Sequence, residues 1–280
     1  MREIAAKEVT DLVARLCKDA NYFLAPDIKS KMEQQRLIER SPLGKEILGT
    51  ILQNSEIASA ELKPMCQDTG MTVVFVTIGQ EVHLVGGSLK DAINAGVRKG
   101  YTEGYLRKSV VNDPIIRENT GDNTPAVIHY NIVEGDQLQI EVAPKGFGSE
   151  NKSQLRMLTP SEGVEGVKKY VLQVVSEAGA NPCPPIIVGV GIGGTMERCA
   201  FLAKKALLRK VGERNTAPHI AEIEEELLEK INKLGIGPAG FGGDTTALAV
   251  NIEAEPTHIA GLPVAVNIGC HATRHAAGTL

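Results

Sequence analysis

The amino-acid sequence predicts an α+β fold in one compact subunit that spans residues 1–280. Two observations predict this class. Residues 1–60 show mainly helical periodicity, whereas the core region over 61–280 has short apolar runs and separate helices without regular βαβ winding. A chain of 280 residues with 42% hydrophobic residues is long enough to bury a substantial core.

The amino-terminal helices are predicted from apolar residues whose spacing puts them on one helical face. These residues are Ile4, Val9, Leu12, Val13 and Leu16 in the first helix and Leu43, Ile47, Ile51 and Leu52 in the second. Another helix is expected to begin after Ser88, because serine is a favoured N-cap. Glycines at 96, 100 and 104 argue against a single unbroken helix there.

Two β-hairpins are predicted next, since each consists of two apolar runs joined by a short polar turn. The runs are 71–78 and 82–85 around Gly79–Glu81, and 126–133 and 138–143 around Glu134–Asp136. Antiparallel hairpins therefore account for the middle of the chain. Later helices are expected near 161–178, 195–211 and 219–235, and later strands over 186–190, 247–254 and 262–269.

The composition excludes several classes of protein. A net charge of −4 without a basic cluster gives no electrostatic basis for nucleic-acid binding. No apolar stretch reaches the roughly 20 residues that a membrane span needs. Five scattered cysteines do not form the disulfide framework of a small secreted domain. We therefore expect a soluble, cytoplasmic protein.

Residues 189–194, GVGIGG, match the G-x-G-x-x-G pattern of dinucleotide-binding folds. The pattern comes late in the chain without Rossmann winding, and only Glu213 stands where the ribose-binding acid is expected. We interpret the glycines as a tight strand-to-helix turn whose N–H groups could face another anion. Thermal stabilisation by NAD is the result that the nucleotide alternative predicts.

The cysteines divide into two groups. Cys17 and Cys199 lie within amphipathic helices, which indicates core packing. Cys66, Cys183 and Cys270 each stand at the edge of a predicted strand among turn-forming or polar residues. A structural zinc site usually has four ligands, whereas three thiolates suit an iron–sulfur cluster in which one iron lacks a protein ligand. Such an iron can act as a Lewis acid.

Five motifs resemble the class I fumarate hydratase family, specifically the α subunit of its two-subunit form, related to the tartrate dehydratase α subunit. They are KPMCQDTG (63–70), RENTGDNTPA (117–126), PKGFGSENKS (144–153), NPCPP (181–185) and EPTHIAGLPVAVNIGCHATRHA (255–276). Single-chain members carry a further carboxy-terminal domain. The resemblance therefore implies a separate β subunit and, by analogy, an α2β2 assembly.

The resemblance implies that Cys66, Cys183 and Cys270 bind a [4Fe–4S] cluster with one open iron, a group that oxygen damages. It also implies that Gln67 binds the substrate and that Asp68 transfers a proton near the leaving hydroxyl. Like charge from the cluster and a dianionic substrate favours the protonated carboxyl that a general acid requires. The alternative is that Asp68 only caps its loop through backbone N–H groups.

Four further residues match the family pattern. Arg107 corresponds to a substrate-carboxylate arginine, although Arg98 is close enough in the chain to be confused with it. Gly146 and Gly148 either let the backbone approach the substrate or cluster closely or serve only to form the turn. Family members commonly have a third glycine where Phe147 stands. His258 matches an active-site histidine that orients Asp68 or the substrate. The following His271, Arg274 and His275 could surround the cluster, anchor the chain end or contact the β subunit.

The implied activity is reversible hydration of fumarate to (S)-malate, shared with a β subunit that carries the complementary base. The alternative within the class is L(+)-tartrate dehydratase, which acts on a substrate with one more hydroxyl. A more distant alternative is a non-catalytic metal-binding structural subunit with a closed, four-ligand site.

Overall fold

The computed structural model describes residues 1–280 and confirms the α+β class. The helices are α1 (Ala6–Tyr22), α2 (Pro26–Ile38), α3 (Pro42–Glu61), α4 (Leu89–Glu103), α5 (Phe147–Glu150), α6 (Gly163–Ala178), α7 (Met196–Ala206) and α8 (Pro218–Asn232). The strands are β1 (Arg2–Ala5), β2 (Met71–Gly79), β3 (Val82–Val85), β4 (Val127–Val133), β5 (Leu138–Lys145), β6 (Gln154–Leu158), β7 (Ile186–Gly194), β8 (Ala247–Thr257), β9 (Leu262–Gly269) and β10 (Ala276–Thr279).

The chain divides into two compact units. Unit 1 comprises Met1–Ala25, Asn54–Phe147 and Arg274–Leu280, and unit 2 comprises Pro26–Gln53 and Gly148–Thr273. The helices expected in residues 1–60 form, although residues 2–5 are a strand. That the whole chain acts as one subunit stays a prediction. None of the helices combines the length and apolar character needed to cross a bilayer.

Neither predicted hairpin forms in unit 1. β3 pairs in parallel with β1, and β2 lies between β4 and β5 in a sheet of order β10-β5-β2-β4. β2 is parallel to β4 and antiparallel to β5. The physical reason is burial. β2 has no exposed residue and takes a central position, whereas β4 is largely exposed at the edge.

Helices α1 and α4 cover one face of this sheet and form the core of unit 1 with it. Ser88 caps α4 as predicted, because its hydroxyl accepts the Asp91 N–H at 3.1 Å. The glycines do not interrupt α4. A Cβ at Gly96 would lie 2.6 Å from Val13 Cβ, so the small residue permits close packing of α4 on α1.

Unit 2 is built on a sheet of order β6-β9-β7-β8. β7 is parallel to β8 and antiparallel to β9. Side chains of β7 that point to one face, including Val188 and Val190, pack in the same core as α6 and α8. Strand β6, like β1 and β10, is absent from the predicted elements because each is only four or five residues long.

The GVGIGG motif is not a turn, which corrects the prediction. All six residues belong to β7, and α7 begins only at Met196. A Cβ at Gly189 would lie 2.2 Å from the Ala203 carbonyl oxygen, and one at Gly191 would lie 2.0 Å from that of Cys199. The glycines therefore allow α7 to pack directly on the strand backbone.

Candidate active site

The predicted site residues of unit 1 meet at one end of its larger sheet. β2 and β5 are antiparallel with Met71 opposite Lys145, so the loop before β2 lies beside the residues after β5. β10 also runs antiparallel to β5, which brings the residues before Ala276 to the same end. The topology thus gathers the Cys66 loop, Gly146 and Arg274.

The Cys66 loop is held at Met65, which is buried. The Met65 N–H donates to the Asn21 carbonyl at 3.0 Å, and the Asn54 side chain donates to the Met65 carbonyl at 2.8 Å. Cys66 is partly exposed, and its Sγ lies 3.7 Å from Oε1 of the exposed Gln67. The thiol and the amide therefore project from a fixed backbone.

The Asp68 carboxylate is fixed through both oxygens. The Gly70 N–H donates to Oδ1 at 3.0 Å, and the Phe147 N–H donates to Oδ2 at 2.8 Å. A Cβ at Gly146 would lie 3.2 Å from Oδ2, so glycine suits this close approach. The capping alternative is therefore observed, and the same contacts hold the carboxylate in one orientation beside Cys66.

Arg274 was not among the predicted substrate or catalytic residues, yet it contacts Asp68 directly. Its Nη2 donates to the Asp68 carbonyl at 2.6 Å. The residue is 4% exposed, and its Nε and Nη1 have no hydrogen-bond partner in the chain. A buried guanidinium with unmet donors is costly, so this end of the sheet favours negative charge.

The two candidate arginines are now distinguished. Arg98 Nε donates to Asp122 at 2.7 Å. Burial would raise the pKa of Asp122, but hydrogen bonds from Thr124 and Arg98 outweigh it and lower the pKa to about 2. Arg107 is exposed and makes no ion pair within the chain. Arg107 is therefore the arginine available to a carboxylate.

Three residues that the sequence analysis did not single out connect these segments. The Asn123 side chain accepts the Ser109 N–H at 2.8 Å and donates to the Gly70 carbonyl at 3.2 Å. The Thr69 hydroxyl donates to the Arg107 carbonyl, and the Tyr101 hydroxyl lies 2.7 Å from the Thr69 carbonyl. Asn123 lies within the quoted RENTGDNTPA motif, which was the available signal.

Replacing Tyr101 with phenylalanine is expected to lower the free energy of unfolding by about 1–3 kcal/mol, because the buried Thr69 carbonyl loses its donor. Burial raises the pKa of Tyr101, so its hydroxyl remains a donor at ordinary pH. Denaturant unfolding measures the effect. Tyr105→Phe is the control, since Tyr105 is 91% exposed and should change little; equal effects of the two variants would contradict the expectation.

Unit 2 brings two of the three candidate cysteines together. Cys183 precedes β7 and Cys270 follows β9, and Ile187 of β7 pairs with Gly269 of β9 in antiparallel register. The His271 N–H donates to the Cys183 carbonyl at 3.2 Å, and His271 Nδ1 lies 3.0 Å from the same oxygen. Both cysteines therefore stand at the same end of the sheet, beside its two inner strands.

The other two predicted site residues of unit 2 are His258 and Gly148, and few contacts within the chain constrain them. His258 is exposed in the turn after β8, and its Nδ1 accepts the Ala260 N–H at 3.1 Å. In a neutral ring this contact leaves the proton on Nε2, which can donate outward. A Cβ at Gly148 would meet only the Asn181 carbonyl at 3.8 Å, so no close contact requires glycine there.

The five free thiols differ in the way that the sequence predicts. Cys17 and Cys199 are buried, and burial raises the pKa of Cys17 to about 12 and raises that of Cys199. Cys183 is exposed, and Cys66 and Cys270 are partly exposed. Thiolates bind metals, so only the last three suit ligation.

No group of three or more histidine, cysteine, aspartate or glutamate side chains is close enough to hold one metal ion. In an iron–sulfur cluster, in contrast, the thiolates bind separate irons. In unit 1, the accessible Cys66 thiol lies on the loop that the Arg274 guanidinium contacts, and Nε and Nη1 of Arg274 lack acceptors. In unit 2, Cys183 and Cys270 are accessible thiols at strand ends. Each set, taken by itself, has the chemistry of ligands and surroundings for an anionic cluster.

Known proteins resemble this chain over almost its whole length. A family model described as fumarate hydratase (Fumerase) matches residues 10–279. The putative L(+)-tartrate dehydratase subunit alpha of Methanocaldococcus jannaschii is 45% identical over 275 residues, which are 96% of each chain. The L(+)-tartrate dehydratase subunits alpha of Escherichia coli strains UTI89 and K12 are 36% identical over 282 residues, covering 100% of this chain and 92% of theirs. The chain therefore belongs to the fumarate hydratase family of hydro-lyases, as the α subunit of its two-subunit form.

Proposed function

We propose that this chain is the α subunit of an iron–sulfur hydro-lyase that removes water from a hydroxylated four-carbon dicarboxylate, with L(+)-tartrate as the favoured substrate. The observation that carries the proposal is the Asp68 carboxylate, held by the N–H groups of Gly70 and Phe147 next to Cys66. A fixed carboxyl group suits proton exchange with a hydroxyl. The M. jannaschii and E. coli relatives are named as L(+)-tartrate dehydratase subunits, which supports tartrate over fumarate.

The proposed cofactor ligands are Cys66, Cys183 and Cys270. When bound, a [4Fe–4S] cluster with one open iron supplies a Lewis acid that binds substrate oxygen and weakens the C–O bond. The accessible positions of these thiols support the assignment, as does the burial of Cys17 and Cys199. Free thiols throughout the chain also suit a reducing cytoplasm.

Three residues of unit 1 are assigned to the substrate. Asp68 gives a proton to the departing hydroxyl in dehydration and takes one back in hydration. Gln67, exposed beside Cys66, hydrogen-bonds the substrate through its amide. Arg107 binds a substrate carboxylate, since its unpaired guanidinium offers a planar pair of donors. Gly146 keeps the space beside the Asp68 carboxylate clear.

Two residues of unit 2 complete the proposed set. His258 can donate from Nε2 to the substrate or to Asp68, because its Nδ1 already accepts a backbone N–H. Gly148 follows Phe147 in the segment that caps Asp68, and we assign it to the backbone path near the substrate. A side chain at Gly148 would meet no atom closer than 3.8 Å, whereas one at Gly146 would lie 3.2 Å from Oδ2 of Asp68.

A β subunit is the proposed partner, in an α2β2 assembly. The relatives are named as alpha subunits, which supports a second chain. The group that removes the C–H proton in dehydration is assigned to this partner. The α chain alone is therefore expected to show almost no turnover, and substantial turnover by the isolated chain would contradict this assignment.

Fumarate hydratase remains the second candidate because the matching family model carries that description. Anaerobic turnover of L(+)-tartrate and (S)-malate by the complex with its β subunit separates the two. We expect kcat/KM for tartrate to exceed that for malate by on the order of 10^4, because a site built for the second hydroxyl leaves polar groups unpaired with malate. A preference for malate would establish the second candidate, and turnover of neither would overturn both.

A further inference from the structure

Strand β4 is an exposed sheet edge. It occupies the end of the β10-β5-β2-β4 sheet, so the main-chain groups on its outer side have no strand partner. Four of its side chains are also substantially exposed: Val127 by 38%, Tyr130 by 51%, Ile132 by 67% and Val133 by 37%. Such an edge readily pairs with another strand.

The other sheet edges of this chain carry features that discourage pairing, and β4 carries none. β6 has Arg156 at its centre, β8 carries Glu253, Glu255 and Pro256 near its end, and β1, β3 and β10 are only four residues long. Charges, prolines and short length are the usual protections of edge strands. The seven residues of β4, VIHYNIV, include no aspartate, glutamate, lysine, arginine, proline or glycine. An unprotected apolar edge indicates that something covers it.

The sequence of β4 is nearly the same in both directions. Read backwards, VIHYNIV becomes VINYHIV, which differs only by exchange of His129 and Asn131. Antiparallel pairing with a second copy about Tyr130 therefore places valine opposite valine and isoleucine opposite isoleucine, with His129 opposite Asn131. This register is the one that pairs all seven residues, and it brings no like charges together. Across a two-fold axis the same surface faces itself, so a strand that sets apolar residues opposite apolar residues of its own copy suits such a contact.

We propose that β4 joins two copies of this chain, by antiparallel pairing of residues 127–133 about a two-fold axis at Tyr130. Cross-strand apolar and aromatic pairs stabilise such a ribbon, and the added main-chain hydrogen bonds extend each sheet across the interface. A second copy is the occupant that the strand favours, because in this register each valine and isoleucine of β4 faces its own kind on the partner. The inference concerns self-association and does not depend on the proposed activity.

The register can be tested by disulfide trapping. Tyr130→Cys places the two new thiols directly opposite each other, within the Cα separation of about 4.4–6.8 Å that a disulfide needs. In the matched control Ile132→Cys, the two thiols are displaced by four residues, about 13 Å along the strands. Under mild oxidation of the full chain, we expect a covalent dimer through position 130, identified by peptide mass spectrometry, on the order of ten-fold more abundant than the control.

Sedimentation velocity provides a second test that does not depend on thiols. Ile132→Lys puts a charge on the edge and is expected to convert dimeric chain to monomer. Ile115→Lys, at an exposed apolar residue outside β4, should leave the dimer intact. A monomeric parent chain, equal trapping at 130 and 132, a dimer that survives Ile132→Lys, or trapping of β4 to the β subunit instead would each overturn the proposal. None of these readouts uses hydro-lyase activity.

Discussion

Cys66→Ser, Cys183→Ser and Cys270→Ser are each expected to abolish turnover and to reduce bound iron and sulfide sharply, from about four of each per chain. Serine offers no thiolate, and a cluster held by only three protein ligands has no further ligand to replace the one that is lost. Anaerobic reconstitution followed by iron and sulfide analysis, visible absorption and EPR measures the change. The accessibility of these three thiols, unlike the other two, makes them the candidates.

The matched controls are Cys17→Ala and Cys199→Ala. Both residues are buried, so alanine removes a thiol without placing a hydroxyl in the core. These variants are expected to keep iron and sulfide at the level of the parent chain. Full iron content in Cys66→Ser would contradict the cluster assignment. The chain could instead bind zinc in place of iron, in a site that tartrate and malate do not perturb. That result would indicate a non-catalytic structural subunit.

Asp68→Asn is expected to reduce kcat of the αβ complex by roughly 10^2- to 10^4-fold, the range for a lost general acid or base. KM should change much less, because Gln67 and Arg107 are the residues assigned to substrate binding. Steady-state kinetics with L(+)-tartrate, on samples of equal iron content, measures the two parameters. An unchanged kcat would mean that Asp68 serves only to cap its loop.

Asp113→Asn is the control for replacing a loop-capping aspartate by asparagine outside the site, and denaturant unfolding of Asp68→Asn measures the structural part of its own effect. Like Asp68, Asp113 accepts two backbone N–H groups, from Ile115 at 2.8 Å and Ile116 at 2.7 Å. Both N–H groups meet Oδ1 of Asp113, so the amide oxygen of an asparagine can keep them. At position 68 both carboxylate oxygens accept an N–H, so an asparagine turns its NH2 group toward a donor, at a cost of about 1–3 kcal/mol if the group is buried. Asp113 lies outside the site, so its variant should keep the parent kcat. Comparable kcat losses in both variants would identify a folding effect.

The sequence determined the helices and the chemistry-bearing loops of this protein. The apolar face of α1 and the Ser88 cap of α4 depend on neighbours within a few residues, so local periodicity and propensity predict them. The separation of Cys17 and Cys199 from the accessible cysteines followed from the same local patterns. The motifs around Cys66, Cys183 and Cys270 identified the family that the comparison with known proteins supports.

Tertiary structure alone decided which strands pair. Two apolar runs joined by a short turn can pair with each other as a hairpin. They can also lie on either side of a third strand, as β4 and β5 lie on either side of β2. The position of β2 between β4 and β5 was settled by which strand gains most from burial, a competition across the whole sheet. The role of the glycines in GVGIGG likewise became clear only from the packing of α7 against β7.

The contacts around Asp68 could not be inferred from the neighbouring residues in the sequence either. Its Oδ2 accepts the N–H of Phe147, 79 residues away, and its carbonyl accepts from Arg274, 206 residues away. Residue type and motif indicated that Asp68 carries chemistry, because the side chain and its neighbours are local. Its orientation required β5 and β10 to end beside the start of β2, since contacts between distant segments exist only after the sheet has formed.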